Sequence, residues 1–389
     1  MKVGISCLYV HLDKPGGLEA RIKAVMTALL KRNDSLVVLQ TVKAAQGSRS
    51  FLSSNQGIES LVLNSRKDSP SFLGERVNHW LVDLPVLLNG KIDILDTWDP
   101  YLNLHGRDFA LVHSSYYYLE YFFRHLNCHS LGGLRYPLID SAFLRPPIIY
   151  QADAILVENS LQKDYLRAFA PGTQAKCHVV PPGLGSSVLS VLEEGIAMDP
   201  WRLLFIGRIE KLKGVDDLLE AFKQCVLRFP QLHLTLVGGG PEMSKYVERT
   251  KKIGLTGNVT FTGPLSHKGT MQLLAGSAAM VLPSHLEGFP NTVLEGMRMG
   301  VPVIVSDVGS VSRHLVKDGE TGVLFKPRDT KGLTQAILRL FEDDQLRQRI
   351  ASNGKELSKE FTVERVVKDT MATYEKALER YYNHRSRSK

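Results

Sequence analysis

Residues 284–307 read SHLEGFPNTVLEGMRMGVPVIVSD, and this stretch decides how the rest of the chain is read. Glu287 and Glu295 stand eight positions apart, with Gly288, Phe289, Pro290 and Asn291 between them. Pro290 suits the first turn of a helix, where its missing N–H would be unpaired anyway. Val293, Leu294, Met297 and Met299 then recur close to helical spacing, and Gly300 ends the run. This places Glu287 in the loop before a helix and Glu295 about a turn and a half inside it. Free backbone N–H groups at such a helix start favour negative charge. PVIVSD, immediately after, reads as a short buried parallel strand. One wall carrying a loop carboxylate, a helix N-terminus and an inward carboxylate suits a hydroxyl-rich, anionic ligand. An ordinary β-loop-α unit with surface glutamates has the same pattern.

Working outward, the second half of the chain alternates strands and helices around this stretch. RLLFIGR is a strand, and the following IEKLKGVDDLLEAFKQC enters a helix with Val215, Leu218, Leu219 and Phe222 on one face. LHLTLVGGGPE is a strand breaking into Gly238, Gly239 and Gly240, a turn with room for a flat base or a phosphate. VTFTG, AAMVLPS and GVLF are further strands, and helices from about residue 330 to 380 close the chain. The first half has the same rhythm. Residues 2–10 form a strand, Pro15, Gly16 and Gly17 a tight turn, and Leu18, Ile22, Val25, Met26, Leu29 and Leu30 a helix face. Strands follow at SLVVLQ, ESLVL, IDILDT, FALVHSS and AILVENS. Alternation of this kind predicts doubly wound parallel sheets. A Gly/Ser-containing stretch at 183–190 marks a boundary, giving domains at 1–183 and 184–364, with a last helix at about 365–389. The dinucleotide turn G-x-G-x-x-G is absent, which counts against a plain NAD domain.

Two domains suit 389 residues, and 43% apolar content suffices for real cores. Cys7, Cys128, Cys177 and Cys225 lie far apart without a C-x-x-C pair, the pattern of free thiols in a reducing cytoplasm. The start MKVGISCLYV is too short for a leader, and no apolar run approaches the ~20 residues a membrane helix needs. Net charge is +8, spread thinly except for the tail HRSRSK, which reads as a solvated end; no nucleic-acid partner is expected. His125, Cys128 and His129 are close enough in sequence to share a helix face, but the H-E-x-x-H arrangement is missing and no metal site is expected.

Chemistry-bearing residues fall at strand ends. His113 ends FALVHSS, at the edge that faces the ligand crevice of an open α/β sheet. Arg208 and Lys213, in GRIEKLKG, stand beyond the end of another strand, where two cations suit a diphosphate. The aromatic run YYYLEYFFRHLNCHSLGGLRY suits an acceptor or a membrane surface, or simply a half-buried loop and helix.

Together KPGGLEA, GRIEKLKG, LVGGGPE and SHLEGFPNTVLEGMRMGVPVIVSD, with its E-x7-E, resemble the retaining GT-B glycosyltransferases of the group-1 or GT4 family. GETGVLFKPRD is similar to that family's loop after the last strand. The resemblance implies a GT-B fold: two Rossmann-like domains facing across a cleft, the last helix crossing back to the first domain. It implies a nucleotide-diphosphate sugar, most commonly a UDP-sugar, bound mainly by the second domain. Glu295 would then accept from the ribose hydroxyls. Glu287 would contact the donor sugar near its 3-hydroxyl, and the backbone of Gly288, Phe289, Pro290 and Asn291 its neighbours and the phosphate. Arg208 and Lys213 would neutralise the departing diphosphate, Gly16 and Gly17 close on the phosphates, and His113 approach the 6-hydroxyl. Gly239, Gly240, Gly263 and Leu265 would frame the base. No D-x-D triplet occurs, so the pattern of metal-using glycosyltransferases is absent and no cofactor is expected. The acceptor stays open between a carbohydrate, a lipid-linked and a small-molecule compound, with peripheral membrane contact through the first domain as one option. Competing classes are a Rossmann oxidoreductase, an inactive binding module and a GT-B-fold epimerase.

Overall fold

The computed structural model describes residues 1–6, 17–41, 52, 54, 55, 57–63, 88–97, 107–114, 147–185, 188, 190, 191, 194–285, 287 and 289–387. The chain divides into two compact units, Met1–Gly183 together with Val363–Lys389, and Leu184–Thr362.

In the first unit the described residues form one seven-stranded sheet. Its strands are β1 (Lys2–Ser6), β2 (Ser35–Thr41), β3 (Ile58–Leu63), β4 (Ile94–Thr97), β5 (Ala110–Ser114), β6 (Ala154–Val157) and β7 (Cys177–Val179). Their order is β3-β2-β1-β4-β5-β6-β7, with every pair parallel. β6 is buried along its whole length, as expected of a strand covered on both faces. The helix Gly17–Lys31 turns Ile22, Met26 and Leu29 inward at i, i+4 and i+7, all fully buried. The C-terminal helix Val363–Arg387 packs against that helix and against β5 and β6, which puts it in the first unit. Its buried Tyr374 hydroxyl donates to Asp96 Oδ2 at 2.6 Å, while Ser114 Oγ donates to Oδ1 at 2.8 Å. Burial pushes the Asp96 carboxyl up to about 6, against the pull of those two hydrogen bonds.

The second unit holds β8 (Asp199–Ile206), β9 (His233–Val237), β10 (Val259–Gly263), β11 (Ser277–Leu282), β12 (Val303–Ser306) and β13 (Val323–Phe325). The order is β10-β9-β8-β11-β12-β13, again parallel throughout. Apolar residues of these strands and of the flanking helices make one continuous core, including Leu203, Phe222, Leu236, Met280, Leu294 and Ile304. Numbered from β8, the strands run 3-2-1-4-5-6, so the winding reverses between β8 and β11. In open α/β sheets a ligand sits outside the carboxyl ends of the strands at such a reversal.

Two glycines let the loops above this edge close on each other. Gly238 has φ +131°, and a Cβ there would lie 2.0 Å from the Gly207 carbonyl oxygen. A Cβ on Gly240 would lie 2.3 Å from the Ile209 carbonyl oxygen. The turn after β9 is therefore packed backbone to backbone against the loop after β8. Gly238→Ala is expected to lower the stability of the second unit by more than about 2 kcal/mol, because the backbone is strained and the neighbouring carbonyl cannot yield cheaply. A chemical-denaturation midpoint unchanged from wild type would contradict this.

Candidate active site

The loops after β8 and β11 flank the reversal point, and three contacts stitch them together. The His285 N–H donates to the Leu212 carbonyl at 2.8 Å. Lys213 Nζ donates to Glu287 Oε1 at 2.7 Å, an ion pair whose side chains are only 16% and 8% exposed. His285 Nε2 lies 2.6 Å from Asp217 Oδ2, on the helix Val215–Arg228 that follows β8. Gly214 makes the close approach possible: its φ is +69°, and a Cβ there would sit 2.0 Å from the Pro283 carbonyl oxygen. The sequence that follows β8 thus turns through Lys211–Lys213, caps on left-handed Gly214 and presents Lys213 to the β11 loop.

Glu287 precedes the helix Asn291–Met299, and Glu295 is its fifth residue. Pro290 caps the helix without a side-chain hydrogen bond, and Gly300 ends it at φ +74°. Glu295 Oε1 lies 3.2 Å from His267 Nε2, and that hydrogen bond raises the His267 pKa against the opposing effect of burial. His267 starts the helix that follows β10, just beyond Gly263 and Leu265. The family resemblance singles out those two residues but not His267 or His285. The signal was available: each histidine stands within a few residues of a strand's carboxyl end, as His113 does.

Other predicted residues are placed unevenly. Arg208 is less constrained than Lys213: its side chain is 62% exposed and, among the described residues, it pairs with Glu210 at 3.5 Å. The Glu210 N–H donates to the Arg208 carbonyl at 3.0 Å. The side chain of Phe289 is buried against Phe361, ring centroids 6.3 Å apart. Gly240 is committed to the packing against Ile209 described above, whereas Gly239 meets only the Pro264 ring, at 3.1 Å. Gly263 has φ +71° and open space around it, and Leu265 is exposed. Gly17 is the first residue of its helix, and His113 lies in β5, paired with Thr97 and Ile155. Gly16 and Gly288 lie outside the described residues, as do Cys7 and the aromatic run with His125, Cys128 and His129.

Two buried polar atoms on these loops, Glu210 Oε1 and Ser284 Oγ, have no hydrogen-bond partner among the described residues. Unpaired polar atoms cost free energy when kept from water. Among the described residues no three His, Cys, Asp or Glu side chains cluster to hold a metal ion, and no helix is long and apolar enough to cross a membrane.

Comparison with known proteins bears on the fold and the family. The crystal structure of HepE from Anabaena in complex with UDP aligns at a TM-score of 0.71 and 21% identity, covering 96% of this chain and 99% of that one. HepE has also been crystallised with UDP-glucose and with UDP and glucose. Sucrose-phosphate synthase from Thermosynechococcus elongatus aligns at a TM-score of 0.74 and 19% identity, covering 96% of this chain and 98% of that one. Two parallel-sheet Rossmann-like units with these neighbours define a GT-B fold. Residues 192–357 match the family model described as Glycosyl transferases group 1. Glycogen synthase from Mycobacterium tuberculosis is 24% identical over 378 residues, spanning 92% of this chain and 91% of its own. These matches support a group-1 glycosyltransferase.

Proposed function

We propose that this chain transfers a hexose-type sugar from a nucleotide-diphosphate sugar, a UDP-sugar before others, to a carbohydrate, lipid-linked or small-molecule acceptor. The reaction proceeds with retention and without a metal, in the cytoplasm or at the inner membrane face. The observation that carries this reading is the Lys213–Glu287 pair at the reversal point of the second sheet. Glycosyl transfer builds positive charge on the anomeric carbon and negative charge on the departing phosphate. A fixed cation beside the leaving group, together with helix N–H dipoles, stabilises that charge with no reorganisation during the reaction. Lys213 is such a cation: Glu287 holds its ammonium group in one place and keeps further acceptor capacity for a donor-sugar hydroxyl.

Glu295, oriented by His267, takes the ribose hydroxyls. Gly239, Gly263 and Leu265, on adjoining loops, frame the base. Arg208 is exposed and adds a second positive charge once a diphosphate draws it in. The complexes of HepE with UDP and UDP-glucose support the choice of donor. The test is a thermal-shift screen with UDP-, GDP- and ADP-sugars. A ligand preferring the folded state raises the melting point, by about 2.7 kcal/mol of stabilisation at a hundredfold excess over its Kd. The expected result is a shift with UDP-sugars that Lys213→Ala weakens; no shift with any nucleotide sugar would remove the proposal.

A further inference from the structure

The first unit contains a second site whose chemistry the transfer reaction does not use. A pocket of about 550 Å³ opens at the amino ends of β5, β6 and β7. This is the edge of the sheet opposite the carboxyl ends, where an open α/β sheet places its substrate. Arg107 enters just before β5, Asp153 just before β6 and Lys176 just before β7, while Arg380 and Arg385 come from the C-terminal helix. Among the described residues, four formal positive charges therefore line the pocket against one carboxylate, that of Asp153.

Local structure holds these cations in place and neutralises only one of the four, Arg107. Arg107 pairs with Asp153 at 3.0 Å and donates to the Gln151 carbonyl at 2.8 Å. Lys176 Nζ donates to the carbonyls of Tyr150 and Ala152 at 2.7 and 2.6 Å, and Arg380 donates to the carbonyl of Asp153 at 3.2 Å. Carbonyl oxygens satisfy N–H donors but carry no formal charge. The guanidinium groups of Arg107 and Arg385 both lie over the Tyr381 ring, 5.5 and 5.7 Å from its centroid. The crowding has an electrostatic signature. Burial lowers the Lys176 pKa, Asp153 opposes this, and the charges of Arg380 and Arg107 lower it further.

We infer that this pocket binds a phosphate-bearing anion, either a free phosphorylated compound or the head group of an anionic lipid. Its volume suits a ligand of metabolite size, guanidinium groups give planar, forked recognition of phosphate oxygens, and a bound anion would relieve the repulsion among the fixed cations. The site is separate from the donor crevice in sequence and in fold, so its occupation does not depend on the activity proposed above.

Calorimetric titration of the full chain with inorganic pyrophosphate tests this, in wild type, Arg385→Glu and Lys213→Ala. Arg385 is exposed, so its reversal does not threaten folding. The expected result is binding that persists in Lys213→Ala and weakens about tenfold or more in Arg385→Glu, the worth of a charge-assisted hydrogen bond. Arg385→Lys is expected to restore part of it. In parallel, sedimentation with phosphatidylcholine vesicles, with and without phosphatidylglycerol, separates the two sources. Arg385-dependent retention on the anionic vesicles assigns a lipid head group, and Arg385-dependent pyrophosphate binding without retention assigns a free phosphate. Absence of both, or equal binding by wild type and Arg385→Glu, overturns the inference. Loss of pyrophosphate binding in Lys213→Ala alone also overturns it, by assigning the anion to the donor crevice.

Discussion

Lys213→Ala is expected to lower turnover by about 10²-fold or more, the usual consequence of removing one group that stabilises transition-state charge. The same substitution also touches the fold. Glu287 is only 8% exposed and its ion pair with Lys213 spans the two loops at the reversal point. Left without its partner, that carboxylate would be buried and uncompensated. Losing one member of a fully buried pair costs about 3–5 kcal/mol, and here the figure is smaller, roughly 1–3 kcal/mol, because the site is open to solvent on the Lys213 side. Activity and melting point must therefore be measured together. Lys213→Met with Glu287→Gln replaces the charged pair by a nearly isosteric neutral one, and is expected to recover stability without recovering turnover. Arg208→Ala gives the complementary comparison. Its side chain is mostly in water, so the melting point should stay within about 0.5 kcal/mol of wild type, as for surface substitutions generally. Turnover should nonetheless fall, also by about 10²-fold, as the diphosphate loses its second cation. Near-normal kinetics in folded Lys213→Ala and Arg208→Ala would rule out the phosphate role for both.

The contrast between these two cations shows what could be read from the sequence. Position along the chain was legible. Alternating apolar runs and Gly/Pro punctuation locate the strands, and a polar residue directly after a strand is bound to stand at the ligand-facing edge of a parallel sheet. Glu287 before its helix and Glu295 inside it follow from helical periodicity alone. What holds each cation was not legible. Lys213 is fixed by a carboxylate 74 positions further on, whereas Arg208 meets Glu210 two positions on and stays 62% exposed. The glycines after β9 show the same limit. Absence of a side chain signals close approach, but not whether a ligand or another backbone approaches; at Gly238 and Gly240 it is the backbone of residues 207–209. Partners joined across long sequence separations were the hardest to see. His267 reaches Glu295 across 28 positions, and Tyr374 reaches Asp96 across 278. No periodicity links such residues, because only the tertiary fold brings them together.

The Asp96–Tyr374 contact carries the second large effect, a change in the sign of the pH dependence of stability. Asp96 is fully buried, and its pKa in the folded protein is about 6 against an ordinary 3.8. The folded state therefore holds this proton more tightly than the unfolded chain. Its contribution is complete below about pH 4 and is lost as pH rises through about 6, roughly 3 kcal/mol in all by linkage. His178 in β7 of the same unit acts oppositely. Burial, helped by the nearby charges of Lys376, Arg380 and Lys163, lowers its pKa from 6.5 to about 4. The unfolded chain then binds the extra proton, so this contribution is present above pH 6.5 and is lost as pH falls through about 4. A half-buried imidazole is partly screened by solvent, which reduces its effect to roughly 1–2 kcal/mol. The two windows coincide, and the terms largely offset. Unfolding of the first unit should consequently show a shallow fall in stability between about pH 4 and 6.5. Asp96→Asn keeps an oxygen acceptor toward Tyr374 or Ser114, whose hydroxyls can rotate to suit the amide, and it removes the titrating group. The variant should become more stable with rising pH over the same window, and more stable than wild type at pH 7. A falling stability profile retained in Asp96→Asn, followed by denaturant unfolding at several pH values, would show that this carboxyl is not the group that titrates in that window.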